Sequence, residues 1–140
     1  MKTRRIGRRQ EGQALVEFAI VTPVLLLLIL GIVQFGILFN NYITLTDAVR
    51  AGARQAAVSR TLPNPTQVTV DRVRRSAAGL DGSKLTVTVT PYDPNGPPGN
   101  NNWAQGGDVT VTARYPFSIN LMGFVVRTGK LKSQTTERVE

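Results

Sequence analysis

The sequence predicts an α+β fold: a long N-terminal transmembrane helix extended into the exterior, a short second helix, and a small antiparallel three-stranded sheet. Three observations predict it. An arginine-rich head, RRIGRRQEG, runs directly into a long apolar segment, QALVEFAIVTPVLLLLILGIVQFGILF. An Asn64-Pro65 break is followed by apolar residues at helical spacing, and alternating Val and Thr then take over. Helices first and strands after them, within one short chain, make the class α+β rather than α/β.

The apolar run from Ala14 to Phe39 would be about 39 Å long as a helix at ~1.5 Å per residue, more than the roughly 30 Å hydrocarbon core of a bilayer. It is too long for the apolar centre of a secretory signal peptide and lacks the small-x-small cleavage site that follows one. Lys2, Arg4, Arg5, Arg8 and Arg9 stand immediately before it. By the positive-inside rule they hold the N-terminus in the cytoplasm and send the remainder across. The expected organisation is a basic cytoplasmic leader over 1–12, a helix over 13–59 with its membrane segment at 14–39, and a small extracytoplasmic domain over 60–140.

Composition narrows the chemistry. Among 140 residues there is no Cys and no His, so there is no disulfide, no thiolate nucleophile and no imidazole for metal binding or proton transfer. The acids Asp71, Asp81, Asp93 and Asp108 fall on a helix end or on turns without paired-carboxylate spacing. An enzyme is not expected, nor a cofactor, a metal or a small-molecule substrate. Half of the net charge of +8 lies in residues 1–12, where membrane topology accounts for it. Arg72, Arg74 and Arg75 form the one tight cluster beyond that head, with no aromatic residues interleaved for base stacking, so nucleic acid is not an expected partner.

A carboxylate inside an apolar helix costs on the order of 2–3 kcal/mol unless it reaches the headgroups or finds a partner. Glu17 is such a group, and its neighbours form a pattern: Gly12 is followed at the fifth residue by Glu17 and at the sixth by Phe18. This resembles the prepilin processing signal of the Flp/Tad branch of type IV pilins, where a membrane aspartyl peptidase cuts after the glycine. Residues 12 to 58 as a whole resemble the N-terminal part of TadE-like proteins, the minor pseudopilins of tight-adherence pilus systems. The likeness is carried by Gly12, Glu17, Phe18, Pro23, the Gly31/Gly36 spacing and the small-residue run AVRAGARQAA, and the closing TTERVE is similar to the end of such proteins. Phe18 departs from the Tyr that Flp-type signals often carry, keeping the aromatic bulk without the hydroxyl.

The resemblance implies a structural or assembly subunit in the bacterial cytoplasmic membrane, whose partners are the membrane, a prepilin peptidase, other pilins or pseudopilins and the Tad secretion machinery. It implies a cut between Gly12 and Gln13, and a role for Glu17 and Phe18 in assembly, with the Glu17 carboxylate neutralising the new amine of Gln13 or that of a neighbouring subunit. The alternative is a permanently membrane-anchored extracytoplasmic binding or adhesion module. Pro23 removes one helix N–H; a kink used in assembly and an ordinary membrane proline both fit it.

Beyond Phe39 the segment NNYITLTDAVRAGARQAAVS has no Pro and no turn cluster, so the helix is expected to continue to about Ser59. Ala48, Gly52 and Ala56 recur at i, i+4 and i+8, a strip of small residues that admits a close backbone, either of the protein's own outer domain or of a neighbouring pilin helix. Asp47, Arg50 and Arg54 suit an exposed ion-pair line on another side. Asn64 as cap, Pro65 at the first turn and Gln67 reaching back predict a second helix over 65–79, with Val70, Val73, Ala77 and Leu80 inward. Its arginines are read as a solvated face, or one for anionic headgroups.

Leu85, Val87 and Val89 alternating with threonines predict a strand from Lys84 to Thr90, and Val109, Val111, Ala113 and Tyr115 a second from Asp108 to Tyr115. A third is expected from about Gly129 to Val139. The loop 91–107, PYDPNGPPGNNNWAQGG, is too rich in Pro, Gly and Asn for regular structure. It holds the one tryptophan, Trp103, which either packs on the sheet or serves as a surface contact. Pro116 to Val126 is read as an apolar connection that closes over the core or, if exposed, touches bilayer or partner.

Overall fold

A computed structural model describes residues 7–97, 102–121 and 123–140. Its elements run α1 (Gly7–Ala57), α2 (Pro65–Ser76), β1 (Thr86–Tyr92), β2 (Asp108–Leu121) and β3 (Phe124–Arg138). The three strands form one antiparallel meander in the order β1-β2-β3, so the α+β arrangement expected from sequence is the arrangement observed.

Helix α1 is 51 residues of unbroken helix, with Pro23 inside it. It does not begin at Gln13, as expected, but passes through Gly12 from Gly7, and it ends at Ala57 rather than Ser59. The end is set by Ser59, whose N–H donates to the Ala56 carbonyl at 3.0 Å and whose hydroxyl donates to the Gln55 carbonyl. The basic residues Lys2, Arg4 and Arg5 of the expected leader lie outside the described residues.

The two halves of α1 have opposite surroundings. From Gly12 to Val21 every residue is exposed, and the large apolar side chains apart from Leu38 continue exposed through Ile43. From Leu45 onward one face is buried: Leu45, Ala48, Val49, Ala53 and Ala56 have no exposed surface. Those positions step by three and four, the spacing of one helical face. The core that covers them consists of Val73 and Ala77 of the α2 region, Leu85, Val109, Val111, Ala113 and Val139.

Gly52 sets how close these layers come. A Cβ there would run into Val73 Cγ2, with Val111 Cγ1 at 3.7 Å, so the missing side chain is what lets α2 and β2 meet α1 together. Gly31 and Gly36, by contrast, have open space around them.

The start of α2 differs from expectation. Asn64 adopts a left-handed conformation (φ 55°) and makes no side-chain cap, and Gln67 donates to Asp71 at 2.8 Å instead of reaching back. Pro65 and the Thr69 hydroxyl, which donates to the Pro65 carbonyl at 2.8 Å, hold the first turn. The helix stops at Ser76, short of the expected 79, where the Ala77 N–H closes on the Val73 carbonyl.

The strands depart most at one point. The first is shifted two residues, to Thr86–Tyr92, and the segment Pro116–Val126 is not a connection: β2 runs on to Leu121 and β3 starts at Phe124. Phe117, Ile119 and Leu121 continue the half-buried face of Val109, Val111, Ala113 and Tyr115, while Pro116, Ser118 and Asn120 are exposed. Pro116 fits because β1 reaches no further than Thr86, opposite Arg114. Past that point β2 has a free edge, where a residue without an N–H costs no ladder bond. Phe117 faces Gly129 across the pair, and its ring occupies the place a Cβ on Gly129 would take.

In the turn before β1, Asp81 binds its surroundings closely. Its carboxylate accepts from the Ser83 hydroxyl at 2.6 Å and the Ser83 N–H at 3.0 Å, and meets Lys84 Nζ at 3.0 Å. Its own N–H donates to the Tyr115 hydroxyl at 3.2 Å, tying this turn to β2. The Ser83 hydroxyl bond, then Lys84 and the Ser83 N–H, hold the carboxyl at about 2 against the usual 3.8, and the same pair raises the Lys84 ammonium.

Two measurements check this account. Gly52→Leu is expected to destabilise the full chain in detergent by about 1–3 kcal/mol through overpacking, while Gly36→Leu changes denaturation by no more than roughly 0.5 kcal/mol. The Asp81 carboxyl is expected to titrate by NMR near 2. Because its value is depressed on folding, the turn's contribution is fully present above the ordinary carboxylate range and is lost as pH falls toward 2; Ser83→Ala moves the midpoint upward.

Candidate functional site

The residues at the head of α1 lie on bare helix. Gln13 Nε2 donates to Glu17 Oε1 at 3.1 Å, so residues 13 and 17 share one side of the helix, a turn apart. Phe18 is 67% exposed. Four residues further, the Thr22 hydroxyl donates to the Phe18 carbonyl at 2.6 Å, just before Pro23. In a bilayer this side chain and backbone would have no water to bond. The Glu17 carboxylate has one amide donor from its own helix and room on its outer side for a cation.

Ala48, Gly52 and Ala56 are buried against the protein's own α2 and sheet. Of the two surfaces this strip could meet, the outer domain is the one it meets. The adjacent ion pair Arg50–Asp47, at 3.6 Å, is exposed on both sides, and such a pair contributes at most a few tenths of a kcal/mol, about the value of other helical pairs.

Trp103 is half-buried and packs against the hydrophobic core. Of the two readings, packing on the sheet is the one this geometry fits: the loop turns its tryptophan towards the core and leaves it partly exposed. The loop is anchored on the same side, with Gly107 N–H donating to the Ala104 carbonyl at 3.1 Å and Gly106 N–H to the Val139 carbonyl at 2.8 Å. Residues 98–101 lie outside the described residues.

Three of the acids considered for chemistry make local bonds, and Asp108 is the exposed first residue of β2. Asp71 accepts from Gln67, Asp81 from Ser83, and Asp93 from the Asn95 N–H at 2.9 Å. Among the described residues no group of three or more His, Cys, Asp or Glu could hold a metal ion. Arg72, Arg74 and Arg75 are exposed on α2, which both a solvated face and one for anionic headgroups require.

A helix with mean hydropathy 2.7 over its most apolar window, none of that window buried, joined without a break to a small α+β head, fits a single-pass membrane protein. The family model described as TadE-like protein matches residues 12–54. The similarity lies in the N-terminal helix: the match spans Gly12, Glu17, Phe18, Ala48 and Gly52 and stops before Ala56 and the domain that follows. Comparison with the curated proteins and with the solved structures gives no match.

If Trp103 is part of the core, Trp103→Ala costs about 1–2 kcal/mol in chemical denaturation, a share of the 1.5–3 kcal/mol of a fully buried large side chain. Trp103→Phe costs less than half of that. Trimming Asn95 to Asn102 to a short Gly-containing turn, with Trp103 kept, changes stability little, since closure entropy varies slowly with length.

Proposed function

We propose that the protein is a TadE-like minor pseudopilin, a structural and assembly component of a Flp-type tight-adherence pilus, inserted in the cytoplasmic membrane and processed by a prepilin peptidase after Gly12. The observation that carries the reading is the Gly12–Glu17–Phe18 spacing at the exposed head of an apolar helix, inside the stretch that matches the TadE-like model. In this reading the outer domain faces away from the cytoplasm and the protein works by assembly rather than by catalysis.

The helical backbone at Gly12 bears on the cut. A peptidase needs an extended strand, so the helix must open there first, and glycine makes that opening easier by about 1 kcal/mol relative to alanine. Once cut, Gln13 carries a new positive amine. Glu17 is already on its side of the helix, and a carboxylate that pairs with an amine, in its own chain or a neighbour's, no longer bears the cost of an isolated charge in lipid. The alternative is a permanently anchored binding module that recognises a ligand through the Trp103 loop, and an intact N-terminus on the mature protein would favour it.

In cells with an active prepilin peptidase, mass spectrometry is expected to show a mature chain beginning at Gln13, and Gly12→Ala to slow its appearance. Full-length protein alone would refute processing. Glu17→Gln is expected to insert at the wild-type level, because removing a charge makes the helix cheaper to bury, yet to lower piliation. Normal piliation at equal protein level would remove the carboxylate from assembly.

A further inference from the structure

Beyond β1, strands β2 and β3 project as a two-stranded ribbon, and its position along α1 can be read from three contacts. Glu140 N–H donates to the Ala57 carbonyl at 2.9 Å, at the far end of the helix. Val111 lies against Gly52. Phe117 and Gly129 share a groove with Ile37 and Leu38. The spacings agree: six strand residues at ~3.3 Å and fourteen helical residues at ~1.5 Å are both about 20 Å. The ribbon therefore runs along α1 towards its apolar half.

Extending the same scale, the turn between Leu121 and Phe124 lies about 13 Å beyond Phe117, roughly level with Ile29. About 20 residues of helix suffice to cross a bilayer. Counted from Ala14 these end near Val33, where Gln34 interrupts the apolar run. The tip reaches about 6 Å past that level, within the 5–10 Å depth at which interfacial segments sit.

The chemistry of the tip matches that depth. Phe124, Val125 and Val126 are 78%, 63% and 60% exposed and contiguous. Arg127, paired with Ile119, falls back to the level of Gln34, and Lys130, paired with Pro116, lies further out. Both cations are exposed, and no carboxylate occurs between Tyr115 and Lys132. A projecting two-stranded ribbon is marginal in water, and apolar tip residues backed by cations suit an acyl boundary under anionic headgroups.

We propose that the β2–β3 tip is a second membrane contact, which dips Phe124, Val125 and Val126 into the leaflet that α1 leaves at Val33 and sets Arg127 and Lys130 among its phosphates. The contact holds the outer domain at a fixed height and rotation against the bilayer. It rests on membrane insertion of α1 and is independent of the pilus reading.

The chain has no cysteine, so single labels are unambiguous. Val125→Cys, Leu28→Cys and Thr88→Cys, each in the full chain, would carry a nitroxide in vesicles of phosphatidylethanolamine and phosphatidylglycerol. Collision with oxygen and with a water-soluble nickel chelate would then be compared. The Val125 label is expected to follow Leu28, with chelate collision several-fold below that of the exposed Thr88 label and oxygen collision above it. A Val125 label as open to chelate as Thr88, with Leu28 protected, overturns the proposal while leaving α1 in the membrane. Protection of Val125 that disappears on dilution with lipid also overturns it, because another copy of the chain is then the cover. Chelate access at Leu28 overturns it together with the insertion of α1.

Discussion

The outer domain hangs on one seam, the line of Leu45, Ala48, Val49, Gly52, Ala53 and Ala56 along α1. Helix α2 and the sheet would each be too small to bury an apolar face alone. The seam gives both a shared wall, and its small residues bring Val73 from one side and Val111 from the other to the same glycine. Larger residues would have separated the layers and left a void that such a small domain has no spare stability to tolerate. The end of the chain closes the arrangement, with Glu140 N–H on the Ala57 carbonyl and Arg60 Nε donating to the Glu140 carbonyl at 3.1 Å.

Because the seam belongs to a helix that is also the membrane segment, domain and anchor form one rigid rod. No flexible linker separates them: α1 passes from exposed apolar residues to fully buried ones within a few residues around Tyr42 to Leu45. Any force or packing at the head of the helix is carried to the outer domain along about 77 Å of helix at ~1.5 Å per residue. In a chain built this way, placing the N-terminal half also places the head.

At the other end of the rod the constraint is electrostatic. One carboxylate is kept on a mostly apolar helix surface, and among the described residues Gln13 is the side chain that donates to it. In a low-dielectric surrounding such a group is costly alone and strongly directing with a cation nearby. Geometry in a single chain provides the exposed carboxylate and the room beside it.

The sequence by itself determined the elements whose signals are local. The apolar run, the continuation through AVRAGARQAA, the Pro65 helix and the Val/Thr strands are each legible, because hydrophobic period and helix-breaking residues act within a few positions. So is the Gly12–Glu17–Phe18 pattern, which needs no fold to be recognised. Tertiary structure decided what depends on who lies opposite. PFSINL alternates as a strand does, yet Pro116 argues against one until β1 is seen to stop at Thr86 and leave β2 a free edge. Trp103 sits in a stretch whose composition says loop, and only the core wall beside it turns the ring inward. The strip Ala48, Gly52 and Ala56 announces a close neighbour but not its identity, since a small residue records the approach of a backbone and says nothing of whose backbone it is; here the protein's own α2 and β2 fill it.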